Sequence, residues 1–231
     1  MDVAEFDKFA DEYLATHARN LRISGEDPEY FARYKIEELR RVWTASHLDE
    51  PRRILDFGSG IGASLPHLAA HFPSATMTAL EVSPRSLAIA ASRFPGMAQF
   101  VGYDGADIPL GAGSFDLIFS SCVFHHIPEQ EHVGLLGRLR GLLHSGGRLA
   151  IFEHNPLNPV TRYIVASCEF DENAVLIPAP VFKARLERAG FAKVRAAFTG
   201  FFPGALRALR PLERYMTGLP IGAQYYTLAH D

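Results

Sequence analysis

Cysteine is nearly absent: Cys122 and Cys168 are the only two in 231 residues. That excludes a disulfide framework, and without any C-x-x-C spacing it argues against a structural zinc site. No apolar run approaches the ~18 residues of a membrane span. Neither sign of charge dominates. The formal net charge is −3, so no global field attracts nucleic acid, and none is expected as a partner. The opening stretch, residues 1–13, is acidic and amphipathic, the wrong chemistry for a signal or transit peptide, so a cytoplasmic setting is the expectation. Internal repeats and low-complexity tracts are also missing. With 48% hydrophobic and 21% charged residues the chain is globular rather than disordered.

What charge there is lies unevenly. Residues 1–50 carry seven Lys/Arg against twelve Asp/Glu, whereas the remainder is close to neutral. Phe6, Phe9, Tyr13 and Leu14 recur at helical spacing. Asp27-Pro28 reads as an N-cap followed by a first-turn proline, and the helix it starts carries Tyr30, Tyr34, Ile36, Leu39 and Val42 to about His47. Residues 1–50 are therefore expected to form a helical N-terminal cap belonging to the same domain as residues 51–231.

Beyond Pro51 short apolar runs alternate with helical stretches. Strands are expected at residues 53–57, 75–81, 99–101, 115–120 and 148–153, with helices at 63–72, 84–94 and 129–143 between them. Strands separated by helices imply βαβ units, parallel pairing and right-handed crossovers. Beyond Pro156 the pattern predicts a connecting segment, then a helix at 180–189, a strand at 194–201, a short basic helix at 205–216 and a last strand at 224–229. The basic helix alternates leucine and arginine. A membrane surface or a lipid-like acceptor would suit it, but Pro211 favours a short cover over the last two strands, and stable membrane insertion is not expected.

The central motif is Ile54-Leu55-Asp56-Phe57-Gly58-Ser59-Gly60-Ile61-Gly62-Ala63, where a buried strand turns into a helix. Glycines there permit tight backbone geometry and close approach of a ligand to the main chain. Taken alone the motif also satisfies the dinucleotide fingerprint of nicotinamide dehydrogenases. Glu81 ends the next strand, where an acid binds a ribose diol for either nucleotide. Asp56, just before the first glycine, would repel a pyrophosphate but suits a ligand carrying an ammonium and a sulfonium. Asp104, after the third strand, can accept from an adenine amino group.

These ordered motifs, with Ser114–Phe119 as the fourth strand and Leu143–Ile151 turning a helix into the fifth, resemble the class I S-adenosylmethionine-dependent methyltransferases, most closely the branch acting on small molecules. The resemblance implies an α/β, Rossmann-like seven-stranded sheet, mostly parallel with an antiparallel last strand. It implies S-adenosyl-L-methionine as cofactor. Asp56, Gly58, Ser59, Gly60 and Gly62 would hold its methionine part, Glu81 its ribose, and Val82 and Ser83 would flank its adenine. Asp104 and Gly105 would face the adenine amino group, and Ser120 would offer its carbonyl to the ammonium. Tyr13, Tyr34 and Lys35 lie where the family folds a cap over the cofactor.

Methyl transfer needs alignment of nucleophile and methyl, and for some acceptors removal of a proton. His125 and His126 follow the fourth strand, at the mouth of the expected pocket. His126 is the expected general base or substrate contact, with His125 secondary. No metal is expected, because adjacent histidines point in different directions and a His125, His126 and Glu153 set would not converge. Glu153 and His154, at the tip of the fifth strand, and Arg162 are candidate acceptor contacts. Cys122 and Cys168 read as small core residues. The expected function is methylation of a small metabolite or lipid-like acceptor. The alternatives are a non-catalytic protein of the same fold that binds the cofactor and, behind it, a dehydrogenase.

Overall fold

The computed structural model describes residues 25–231. The expected first helix, with Phe6, Phe9 and Tyr13, lies outside the described residues. Helix α1, Pro28–Ala45, begins where the sequence places it: the Asp27 carboxylate accepts from the Tyr30 N–H at 2.7 Å. Its Ile36, Leu39, Val42 and Trp43 are buried against one face of the sheet. Each is worth about 1.5–3 kcal/mol of burial, so this packing, rather than propensity, fixes the helix on the body.

The body is a seven-stranded sheet in the order β3-β2-β1-β4-β5-β7-β6. The strands are β1 (Arg53–Phe57), β2 (Thr76–Glu81), β3 (Gln99–Gly102), β4 (Phe115–Ser121), β5 (Leu143–His154), β6 (Lys193–Thr199) and β7 (Gln224–His230). β7 runs antiparallel to both neighbours, β5 and β6, while β1 to β5 pair in parallel. Helices α2 (Leu65–His71), α3 (Pro84–Arg93) and α4 (His132–Leu142) supply the crossovers, and α6 (Ala179–Arg188) precedes β6. Central strands β1 and β4 are covered on both faces, which is why they read as near-continuous apolar runs. One core gathers Leu55, Phe57, Ile118, Leu136 and Phe182. The opposite core gathers Ile36, Trp43, Phe72, Phe119 and Phe152.

Two local readings differ from the sequence. The segment after Pro156 is not merely a connection: α5, Pro159–Ala166, starts where Asn158 accepts from the Thr161 N–H at 3.0 Å. The stretch Gly204–Tyr215 forms 3-10 turns with a kink at Leu206, and Leu206, Leu209 and Leu212 stay 41–50% exposed, so they do not roof the last strands. It is fastened instead by buried Glu213. Among the described residues no helix is long and apolar enough to cross a membrane.

Candidate active site

The parallel strands end at one edge, and the loop after β1 folds tightly there. Gly58 and Ser59 N–H groups both donate to the Leu80 carbonyl, at 2.8 and 3.1 Å. Gly58, Gly60 and Gly62 all adopt positive φ. They serve different ends. A Cβ on Gly62 would crowd Phe94, Ala90 and Leu65 at 3.0–3.2 Å, so that glycine is required by packing. A Cβ on Gly60 would meet nothing within 4 Å and would project into open space. That is the cradle a ligand needs.

Glu81 anchors this cradle. Its Oε2 accepts from the Gly60 N–H at 2.8 Å, and its Oε1 from the Val82 and Ser83 N–H groups at 2.9 Å each. The loop is thus pinned to the tip of β2. Ser83 in turn caps α3 through the Ser86 N–H. Asp56 is 2% exposed, and its Oδ2 has no hydrogen-bond partner. Burial, then repulsion from Glu81, pushes its carboxyl up to about 7. Ser59 Oγ and Ser120 Oγ are likewise buried without partners. Asp104 is exposed at the rim, where its Oδ1 accepts from the Ala106 and Asp107 N–H groups at 2.9 Å, so it caps a turn. Those bonds hold its carboxyl below the usual range. Gly105, beside it, has positive φ and open space at its Cβ position. Val82, Leu87, Tyr103 and Asp104 line a cleft of about 710 Å³ next to the loop.

Past β4 the chain builds a second cluster. His125 Nδ1 lies 2.6 Å from Glu153 Oε2, and Glu153 Oε1 accepts from the Val123 and Phe124 N–H groups at 3.1 and 2.8 Å. His125 Nε2 is 3.5 Å, and His126 Nε2 3.4 Å, from Asp171 Oδ1. Burial opposes charge on His125, but Glu153 and Asp171 outweigh it and hold the imidazole up at about 10. Burial and then the charge of His125 push His126 down to about 4. The expectation that the adjacent histidines diverge is wrong, because their ring centroids are only 4.2 Å apart, and His125 rather than His126 is the more buried partner.

Lys35 reaches the same tip from α1. Its Nζ donates to Ser121 Oγ at 2.7 Å and to Cys122 Sγ at 3.3 Å. Lys35 is buried, and among the described residues no carboxylate pairs with it. Cys122 is not an ordinary core residue. It adopts φ of 58° and is half-buried, and although burial opposes ionisation, His154 and Lys35 lower its thiol to about 6. Cys168 is buried, as expected.

Two expected site residues are placed elsewhere. The Tyr34 hydroxyl is occupied by Glu213, by Thr199 Oγ1 at 2.6 Å and by the Gly200 N–H at 3.0 Å. It fastens α1 to the end of β6, at the far side of the sheet from β2. Arg162 is exposed on α5. Tyr13 lies outside the described residues. Ser121 and Asp171 were not singled out by the sequence. Nothing in its spacing pairs Asp171 with the distant histidines.

A family model described as a methyltransferase domain matches residues 54–147. A trans-aconitate 2-methyltransferase of Methylobacterium radiotolerans is 32% identical over 70% of this chain and 62% of its own length. A structure from Thermotoga maritima, described as an S-adenosylmethionine-dependent methyltransferase and possible histamine N-methyltransferase, shares the fold with a TM-score of 0.68, at 17% identity over 98% of each chain. So does a phosphoethanolamine N-methyltransferase 2 of Haemonchus contortus with bound S-adenosyl-L-methionine, at TM-score 0.55 and 17% identity over 78% of this chain and 48% of that one. Residues 54–147 match the methyltransferase domain family, and the fold is that of the S-adenosylmethionine-dependent methyltransferases. The chain spans about half to three-fifths of the length of the first curated relatives it matches.

The residues present fit the family's cofactor. An orphaned, buried Asp56 carboxylate suits a cationic amino acid moiety far better than a pyrophosphate. The open space at Gly60 and the uncommitted hydroxyls of Ser59 and Ser120 add room and polar contacts beside it. Glu81 sits between loop and cleft with both oxygens held by backbone donors.

Proposed function

We propose that the protein transfers a methyl group from S-adenosylmethionine to a small acidic acceptor. The single observation that carries the acidic class is Lys35, a buried ammonium at the tip of β4 with a hydroxyl and a thiol for partners and no carboxylate among the described residues. A buried charge is ordinarily paired; the Cys122 sulfur, its thiol lowered to about 6, is one such partner at 3.3 Å, and an acceptor carboxylate would supply a second. The relatives named for trans-aconitate point to the same class.

The cofactor would lie along Asp56, Ser59, Gly60, Glu81, Val82, Ser83 and Ser120, with Asp104 and Gly105 at its adenine end. When bound it supplies a methyl group on a cationic sulfur whose departure leaves a neutral thioether. The chain's part is alignment and exclusion of water. Lys35 orients the acceptor, and His154 and His126 line its space. A carboxylate brings its own lone pair, so the base role expected of His126 drops out of the proposal. Glu153 likewise acts by positioning His125 rather than by touching the acceptor, since its oxygens are taken by His125 and by two backbone N–H groups.

Initial rates of S-adenosylhomocysteine release with a panel of small di- and tricarboxylates, alcohols and amines test this. Acids should be turned over, and Lys35→Met should raise KM for them at least tenfold while leaving cofactor affinity within twofold. Turnover of amines or alcohols with no acid accepted would overturn the assignment.

A further inference from the structure

The chemistry of methyl transfer leaves His125, Asp171 and Glu153 without a direct task and gives His126 only a place on the wall of the acceptor space, although the four form a tightly built polar cluster. We propose that His125, His126 and Asp171 form a zinc site that clips the Glu169–Asp171 turn to the loop after β4.

The donor set is the first reason. His125, His126 and Asp171 each offer one ligand atom, and these lie within 4.8 Å of one another. The two nitrogen-to-carboxylate distances are 3.5 and 3.4 Å. A tetrahedron with ~2.0–2.1 Å bonds has edges of about 3.3–3.4 Å, so these separations suit tetrahedral Zn²⁺. An octahedral ion at similar bond lengths needs edges nearer ~3 Å and would demand greater contraction. Two neutral imidazoles and one carboxylate leave a fourth vertex for a solvent oxygen.

The outer shell is the second and independent reason. A metal-binding histidine ordinarily donates its other nitrogen to a carboxylate, which fixes tautomer and ring orientation. Glu153 does this to His125 Nδ1 at 2.6 Å, and Glu153 is itself held by the Val123 and Phe124 N–H groups. The chain around the cluster is also already joined, since the Val175 N–H donates to the His125 carbonyl at 2.8 Å. The side chains of His125 and Glu153 are each 1% exposed, and those of His126 and Asp171 only 16% and 14%.

The test uses untagged full-length protein stripped with chelator. Titration with Zn²⁺ should show one tight equivalent and a rise in Tm, and Co²⁺ in its place should give the intense visible bands of tetrahedral coordination. Asp171→Asn and His126→Asn should each weaken that equivalent at least tenfold, and Glu153→Gln about 10–100-fold. Affinity for S-adenosylhomocysteine should stay unchanged in all three, which shows that the fold and the cofactor crevice are intact. Two results would overturn the site: no stoichiometric Zn²⁺ binding or tetrahedral Co²⁺ spectrum in the unsubstituted protein, or an equivalent that survives Asp171→Asn and His126→Asn undiminished and therefore resides on other histidines. Should one variant fail to fold, the other and the Co²⁺ spectrum decide.

Discussion

At the scale of single residues the cofactor crevice is a set of buried groups waiting for a cation and a diol. Asp56 is the clearest. Its carboxyl is raised to about 7 in the folded chain, above the ordinary 3.8. The folded state therefore binds this proton more readily than the unfolded state. Asp56's contribution to stability is complete below about pH 4 and declines as pH rises through about 7. Thermal denaturation of the free protein between pH 4 and 8 should show that decline, and Asp56→Asn should flatten it. A cationic ligand wants the ionised form, so S-adenosylmethionine binding near pH 6 should release a proton. Calorimetry in buffers of different ionisation enthalpy reads this directly, and zero proton release would remove Asp56 from the site. Gly60→Val should abolish S-adenosylhomocysteine binding, because its side chain enters open crevice from a backbone at φ of 52° that disfavours a β-branched residue. Glu81→Gln should weaken the same binding by about 1.5–3 kcal/mol, the range for a hydrogen bond to a charged group. Unchanged affinity in either variant would contradict the assignment.

At the scale of elements, the fold was legible where periodicity and punctuation agree. Asp27-Pro28 marked the start of α1, and the apolar runs marked the five parallel strands. Helix α5 carried the same kind of signal in Asn158-Pro159, but its loop-like surroundings masked it. Tyr34 shows a different limit. Its position on α1 was readable, whereas its partner Glu213 comes from the other end of the chain, so only the fold shows that the phenol is a fastener. Tyr34→Phe should leave buried Glu213 one donor short and cost about 1–3 kcal/mol in denaturant unfolding, with cofactor affinity unchanged. A fall in affinity without loss of stability would restore the phenol to the cofactor site. The acceptor cluster was the least legible part. A glycine loop is local in sequence, but His126 and Asp171, far apart in the chain, meet only in the fold.

At the scale of the whole molecule, two half-sites share one sheet edge. The β1–β2 tips hold the groups that suit a cofactor, and the β4–β5 tips, with Lys35 from α1, hold those that suit an acceptor. Because a carboxylate acceptor needs no proton removed, His126→Ala should lower turnover by less than about tenfold, against the ~10²–10⁴-fold loss expected for a general base. A loss in that larger range, with a pH-rate profile that loses its acid limb, would make His126 the base. The central claim is methyl transfer to an acid placed at Lys35. Its most direct measurement is mass spectrometry of a mixed pool of small carboxylates, amines and alcohols incubated with the protein and S-adenosylmethionine bearing a labelled methyl group. The account predicts a labelled methyl ester of an acid, made at a rate that falls with Lys35→Met. Label found only on nitrogen or on an alcohol oxygen, or an ester formed equally well by the Lys35 variant, would contradict it.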